Sequence, residues 1–404
     1  MSEESPLRDE ATETELASVK EAEADQEAVA VEEQEPEEPP VPAAVKQWVP
    51  LSGGACDARF GFGVLDELES MLRSVSGRPH RAALLAPSSF DEGLVERVRR
   101  ELTSAGFEVA RIELEAVGGV RSMNTAAQLA RHLDDAGISV DDIVCAVGST
   151  DLLSLAAFVC QSWCGGTPLV SVAGDLSTLV EAVATPRGLD VSRHEQMVTV
   201  SPWCRHIVCD FDLVSLDPSQ EDVMLTRSFM VQTAMLDSVE GFTKLWDRSL
   251  EIAGGDLFAL SDQLAETLKA RGRTSSSTSL ALRQSLRYGN ELARALARLT
   301  KAPRSILLAE GLRFAARLSA GMERFEVDDV MAQDELLERL GIGYLEEDLD
   351  AEQLVRTFRD ECFVRSSRLQ VALPEKLGRV RLANVTDELL EAHLGGFCAT
   401  RSAQ

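Results

Sequence analysis

The chain is short of positive charge. Its 404 residues carry 40 Lys and Arg against 67 Asp and Glu, a net charge of −27. Binding to nucleic-acid phosphates needs clustered cations, so nucleic acid is excluded as a partner. No apolar run approaches the roughly 18–20 residues that a bilayer span requires. The N-terminus, MSEESPLRDE, has neither the basic nor the apolar region of a signal peptide. The chain is therefore expected to be cytoplasmic, with no membrane partner. Metal-site signatures are missing too. The eight cysteines approach one another only as Cys160 with Cys164 and Cys204 with Cys209, and the five histidines form no HExxH pair. A cytosolic chain of this size builds no disulfide framework, so the cysteines read as small buried apolar residues.

What is present is unevenly distributed. Residues 1–44 hold 15 acidic and 2 basic side chains, five prolines and no aromatic residue. Such a stretch cannot bury enough surface to offset chain entropy and is expected to be a disordered acidic tail. The remainder is apolar enough for one or two cores.

From residue 45 the period alternates. Val64, Leu65, Leu68, Met71, Leu72 and Val75 recur at helical spacing, and Ala82–Ala86, ending at Pro87, reads as a buried strand. Leu94, Val95, Val98 and Leu102 mark a helix that stops at Gly106, and Phe107–Leu114 reads as the next strand. A helix carrying Ala126, Leu129 and Leu133 leads to the apolar strand Ile143–Val147. This β-α-β-α-β order predicts a parallel sheet covered by helices, with ligand chemistry at the carboxyl ends of the strands. Gly148-Ser149-Thr150-Asp151 stands at one such end. It suits either a phosphate on a helix N-terminus or an ordinary capping turn.

After about residue 215 long helices take over. Leu282, Leu286, Gly289, Ala293 and Leu296 form the apolar seam of one buried helix. Arg283, Arg287, Arg294 and Arg298 line another face, which reads as an anion-binding stripe or as a solvated face with Glu291 among the arginines. The expected organisation is a tail (1–44), an α/β domain (45–215) and an all-α domain (216–404), with a ligand cleft between the two domains.

The order of these segments, and several strings, resemble 3-dehydroquinate synthase. ARFGFGVLDELESML is similar to the family's first strand and helix, and AGFEVARIELEAVGGVRSMNTAAQL to its second nucleotide-domain repeat. AVGSTDLLSLAAFVCQSWCGGTPLVSVAGDLSTLVEAVATPRG takes the place of the family's glycine-rich stretch. IVCDFDLVS, LRQSLRYGNELARALA and ILLAEGLRFAARLS resemble its later segments. The resemblance implies a Rossmann-like N-terminal domain and a helical C-terminal one. It also implies a homodimer, NAD, and a divalent metal, usually zinc. The implied reaction cyclises 3-deoxy-arabino-heptulosonate 7-phosphate with loss of phosphate, in the shikimate pathway. The metal would polarise the hydroxyl being oxidised, and basic side chains would hold the carboxylate and phosphate.

Carried over residue by residue, the resemblance assigns substrate-binding, catalytic roles to Lys269 and Arg283, fourteen residues apart as in the family. Its cofactor positions fall at Gly148, Ser149, Thr150, Glu181 and Arg187. Its substrate-binding asparagine and histidine fall at Arg287 and Arg294, and its C-terminal lysine pair at Cys362 and Phe363. The three metal-ligand positions fall at Ser228, Asn290 and Arg304, so no ligand triad survives, and Arg304 places a permanent cation where a dication would sit. The expectation is a family member with lost or reduced catalysis. The alternative is a metal-independent protein that binds a phosphorylated or carboxylated metabolite on the same scaffold.

Overall fold

In the computed structural model, which describes Met1 and residues 41–76, 78, 80–114 and 119–402, the first half of the fold is built on a seven-stranded sheet. Strands β1 (Val45–Leu51) and β2 (Gly54–Gly61) form an antiparallel edge hairpin. A short 3₁₀ turn at Val64–Glu67 leads into α1 (Leu68–Ser76). The alternation continues through β3 (Arg81–Leu85), α2 (Glu92–Ser104), β4 (Glu108–Ile112), α3 (Met123–Asp135), β5 (Ile143–Gly148) and α4 (Thr150–Ser162). It ends with β6 (Leu169–Ala173), α5 (Leu176–Ala184), the hairpin β7 (Arg187–Val191) and β8 (His194–Val200), and β9 (His206–Asp210). The sheet order is β1-β2-β9-β6-β5-β3-β4, and every pairing except β1 with β2 is parallel.

The central strands β3, β5 and β6 are largely apolar because helices cover both faces. Ala82 and Leu84 of β3 pack on one side with α1 and α2, while Ala83 and Leu85 pack on the other with α3 and α4. Polar side chains start the helices: Asp91 accepts from the Gly93 N–H, Ser122 from Thr125 and Asp175 from Thr178. Gly106 follows the end of α2 at φ +98°, a conformation open to glycine. Strand order reverses direction between β3 and β5, so the switch-point crevice lies at the loop Pro87–Phe90 and at Gly148.

The second half is helical: α6 (Glu221–Asp237), α7 (Val239–Ala253), α8 (Leu257–Ser276), α9 (Leu280–Ser285), α10 (Asn290–Ala297), α11 (Arg304–Gly321), α12 (Val327–Arg339), α13 (Ala351–Phe363) and α14 (Asp387–Ser402). An antiparallel hairpin, β10 (Gln370–Lys376) and β11 (Arg379–Asn384), interrupts them, so this half is not purely α. The apolar seam 282–296 is not one helix. It breaks between α9 and α10, where Gly289 turns at φ +81° and its backbone meets Gly311 of α11. A Cβ on Gly311 would stand 1.9 Å from the Gly289 carbonyl oxygen, so tertiary contact rather than helical period decides this segment.

The described residues from 41 to 402 form one compact unit. The acidic tail lies outside the described residues apart from Met1 and 41–44. No helix among the described residues is long and apolar enough to cross a membrane.

Candidate functional site

A cleft between the sheet half and the helical half holds two adjoining cavities of about 130 and 440 Å³, which share Thr185, Gln196, Asn290 and Arg294. Thr185 ends α5 and Gln196 lies on β8 at φ +49°, so the sheet half supplies one wall. Helices α6, α8, α10 and α11 supply the other.

Arginine dominates the walls. Arg271, on the buried face of α8, donates to Gln232 Oε1 at 2.9 Å, Thr233 Oγ1 at 3.1 Å and Thr185 Oγ1 at 2.7 Å, and lies over the Phe229 ring. Its acceptors are all neutral and its Nε has no hydrogen-bond partner. Burial pushes its pKa down to about 10, so it stays charged at neutral pH. Among the described residues Arg294, on α10, donates only to Gln196 Oε1, at 3.5 Å. Burial and the nearby Arg365 guanidinium push its pKa down. Neither Arg271 nor Arg294 has a carboxylate within 4 Å among the described residues, so each lacks a direct ion pair and feels only the more distant fields of Glu181 (Arg271) and of Glu291 and Glu195 (Arg294).

Most of the other cations are paired with carboxylates. Arg304 pairs with Glu181 at 3.1 Å, and that carboxylate raises the arginine's pKa. Arg287 pairs at 2.9 Å with Glu291, a buried carboxylate whose pKa burial raises. Arg365 donates to Glu361 and to the Glu195 carbonyl. Arg298 turns away to Asp360 and Glu361. Arg283 donates to the Ser277 carbonyl at 2.6 Å and lines the larger cavity.

The structure thus gathers Glu181, Arg283, Arg287, Asn290, Arg294 and Arg304 in one cleft. Glu291 is buried rather than solvated. Lys269 is a correction: it is exposed on α8 and lines neither cavity. Two residues correspond to about 200° of helix, so Arg271 faces inward where Lys269 faces out. Cys362 is buried and Phe363 exposed, and neither lines these cavities. The side chain of Arg187 lies outside the described residues. Sequence reasoning missed Arg271, although its spacing of three and seven from Leu268 and Leu264 puts it on the buried face of α8. It also missed Arg365, for which no local pattern gives a signal.

The positions that resemblance assigns to a metal do not fit one. Ser228 is buried and donates to the Ser305 carbonyl, Asn290 donates to the Leu286 carbonyl, and Arg304 fills its place with a guanidinium. Among the described residues no three His, Cys, Asp or Glu side chains are grouped to hold a metal ion.

The nucleotide positions do not fit a dinucleotide either. Phe90 packs on Gly174, where a Cβ would stand 2.8 Å from the ring, and Pro87 lies against Gly148. The backbone a pyrophosphate must approach, at the carboxyl ends of β5 and β6, is therefore partly covered, although Ser149 stays exposed. Ser149 precedes α4, and the Thr150 N–H is already bonded to Thr178 Oγ1 at 3.1 Å. In front of that helix Asp151, Asp190 and Glu195 surround one cation, Arg121, at 3.2–3.8 Å, which leaves the approach negative.

No family model matches the chain. A 3-dehydroquinate synthase of Thermobifida fusca (strain YX) is 24% identical over 299 residues, which cover 71% of this chain and 78% of that protein. A solved 2-deoxy-scyllo-inosose synthase, complexed with carbaglucose-6-phosphate, NAD+ and Co2+, superposes with a TM-score of 0.75 at 16% identity. The match covers 87% of this chain and 99% of that one. For 2-epi-5-epi-valiolone synthase from Streptomyces hygroscopicus subsp. jinggangensis, with NAD+ and Zn2+ bound, the TM-score is 0.70 at 14% identity, over 85% and 97% of the two chains. The chain is similar in sequence to 3-dehydroquinate synthases and is built on the dehydroquinate synthase-like fold, with an α/β N-terminal half and a helical C-terminal half.

Proposed function

We propose that this protein binds a phosphorylated or carboxylated small molecule in the cleft and has lost the metal- and NAD-dependent cyclisation of its relatives. The observation that carries this reading is Arg294, a desolvated guanidinium between two cavities with no carboxylate partner among the described residues. A ligand phosphate or carboxylate would supply the missing counter-charge through charge-assisted hydrogen bonds. Arg283 and Arg365 flank the larger cavity and add to its attraction for anions. Arg304, tied to Glu181, stands at a position the resemblance gives to a metal ligand, and a guanidinium neither ligates a metal nor polarises a hydroxyl as a Lewis acid does. Asn290, Gln196 and Thr185 offer neutral donors and acceptors for hydroxyl groups.

The test uses 3-deoxy-arabino-heptulosonate 7-phosphate with NAD and zinc. The expected result is saturable calorimetric binding to the protein, unchanged by leaving out NAD and zinc, with phosphate release no faster than in buffer. Enzyme-dependent phosphate release that needs zinc would overturn the loss of catalysis. No binding of this ligand or of any other phosphorylated acid would overturn the ligand site.

A further inference from the structure

A second cavity, sharing no lining residue with the cleft, lies between α11, α14 and the loop after α12, and encloses about 560 Å³. That size is in the range of small-molecule sites. Its lining includes three arginines, Arg313, Arg317 and Arg401, and no carboxylate. This contrasts with a chain of net charge −27. The acidic partners stand behind the wall. Glu310, with no exposed surface, accepts from both Arg313 and Arg401, so one negative charge serves two cations. Arg317 pairs with Asp334 at the rim. Arg313 keeps a buried Nε with no hydrogen-bond partner.

Aromatic side chains form much of the rest of the wall, beside Ala392, Gly396 and Thr400. Phe314 and Phe397 meet edge to face at 6.2 Å. The Tyr344 ring is contacted by the guanidinium of Arg313 at 3.9 Å and of Arg401 at 4.8 Å. His393, pushed down by burial, adds an imidazole that is uncharged at neutral pH.

Helix α14 carries an independent mark. Gly395 and Gly396 sit in its interior, where glycine weakens a helix, and Gly396 lines the cavity. Among the described residues no packing contact requires them: nothing beyond their own helix turn lies within 4 Å of where either Cβ would stand. Elsewhere glycines such as Gly311 meet backbone at that distance. A helix bared in this way admits a flat group from outside into contact with its backbone.

We propose that this cavity binds a small planar aromatic carboxylate, with the ring against Gly396 and Phe397 and the carboxylate toward Arg317 and Arg401. The apolar walls disfavour a bare inorganic anion, and the three guanidiniums disfavour a neutral hydrocarbon. The proposal does not rest on the reading of the cleft.

The test is calorimetric titration of phenylacetate into the full-length protein, with displacement of the fluorescent aromatic sulfonate 8-anilinonaphthalene-1-sulfonate as a second readout. A saturable site that persists in Arg294→Met is expected at this cavity. Gly396→Leu, which fills the opening with a better helix former, should weaken binding at least tenfold while circular dichroism shows an intact fold. Arg317→Gln, which alters an exposed pair, should weaken it about tenfold, and Arg294→Met in the cleft should leave it unchanged. Absence of saturable binding, or wild-type affinity in Gly396→Leu, would overturn the proposal. So would equal binding of benzyl alcohol, equal displacement by sulfate, or loss of binding in Arg294→Met. Conversion of a dimer to a monomer by Gly396→Leu, seen in sedimentation, would assign the opening to a second copy and overturn it as well.

Discussion

Replacing Arg294 with Met sets two effects against each other. The guanidinium has one long hydrogen bond, 3.5 Å to Gln196, and stands near the like charge of Arg365. Unfolding returns it to water, so its burial opposes folding. Met keeps much of the apolar stem and removes the charge. Without ligand the variant is expected to be more stable than wild type by about 1 kcal/mol, well below the cost of a fully buried unpaired charge because the side chain is only partly enclosed. With an anion bound the order reverses. A hydrogen bond to a charged group contributes about 1.5–3 kcal/mol, or about 10–150-fold in affinity. At a ligand concentration 100 times the wild-type Kd, wild type gains about 2.7 kcal/mol, while a variant that binds about 50-fold more weakly gains about 0.7 kcal/mol. Wild type should then lead by about 1 kcal/mol. Urea unfolding followed by circular dichroism, with and without 3-deoxy-arabino-heptulosonate 7-phosphate, measures both differences. A variant that is destabilised without ligand and stabilised by ligand as much as wild type would refute the reasoning.

Two further predictions concern the scaffold. Gly311→Ala puts a methyl group 1.9 Å from the Gly289 carbonyl oxygen, so it should cost about 3 kcal/mol or more in denaturant unfolding. Gly395→Ala, with open space around it, should gain about 1 kcal/mol, and equal effects at the two sites would show that the contact is unimportant. Asp142 accepts from Ser139 N at 2.7 Å, Ser139 Oγ at 2.7 Å and Arg81 N at 2.9 Å, and faces His80. Burial alone would raise its carboxyl, but these bonds outweigh it and hold the pKa below the ordinary 3.8. Between the two values the unfolded chain binds the extra proton. The group's stabilisation is therefore complete above the unfolded pKa and lost as pH falls through the folded one. Asp142→Asn should cost about 1–3 kcal/mol at pH 7. The gap should shrink in urea titrations below about pH 4, and a gap constant down to pH 2.5 would contradict the assignment.

The cleft was partly legible in advance. Arg294, Arg287 and Arg283 stand out as basic residues in an acidic chain, and the structure places all three in the larger cavity. Lys269 stands out equally, yet it points to solvent, because the inward face of α8 is set by Leu264 and Leu268 and takes Arg271 instead. The covering of the nucleotide crevice was less visible. Pro87 and Phe90 read as an ordinary loop, and only the fold lays them against Gly148 and Gly174.

Sequence alone was enough for the strand–helix alternation, for the placement of β3, β5 and the helices between them, and for the end of α2. Burial on one stripe or on both faces leaves a period that neighbouring residues carry themselves. Only the tertiary structure decided where the seam 282–296 breaks and which arginines have carboxylate partners. Arg304 meets Glu181 from 123 residues away, while Arg271 and Arg294 meet none among the described residues. Charge compensation depends on separation in space and on desolvation, and neither leaves a trace in local spacing.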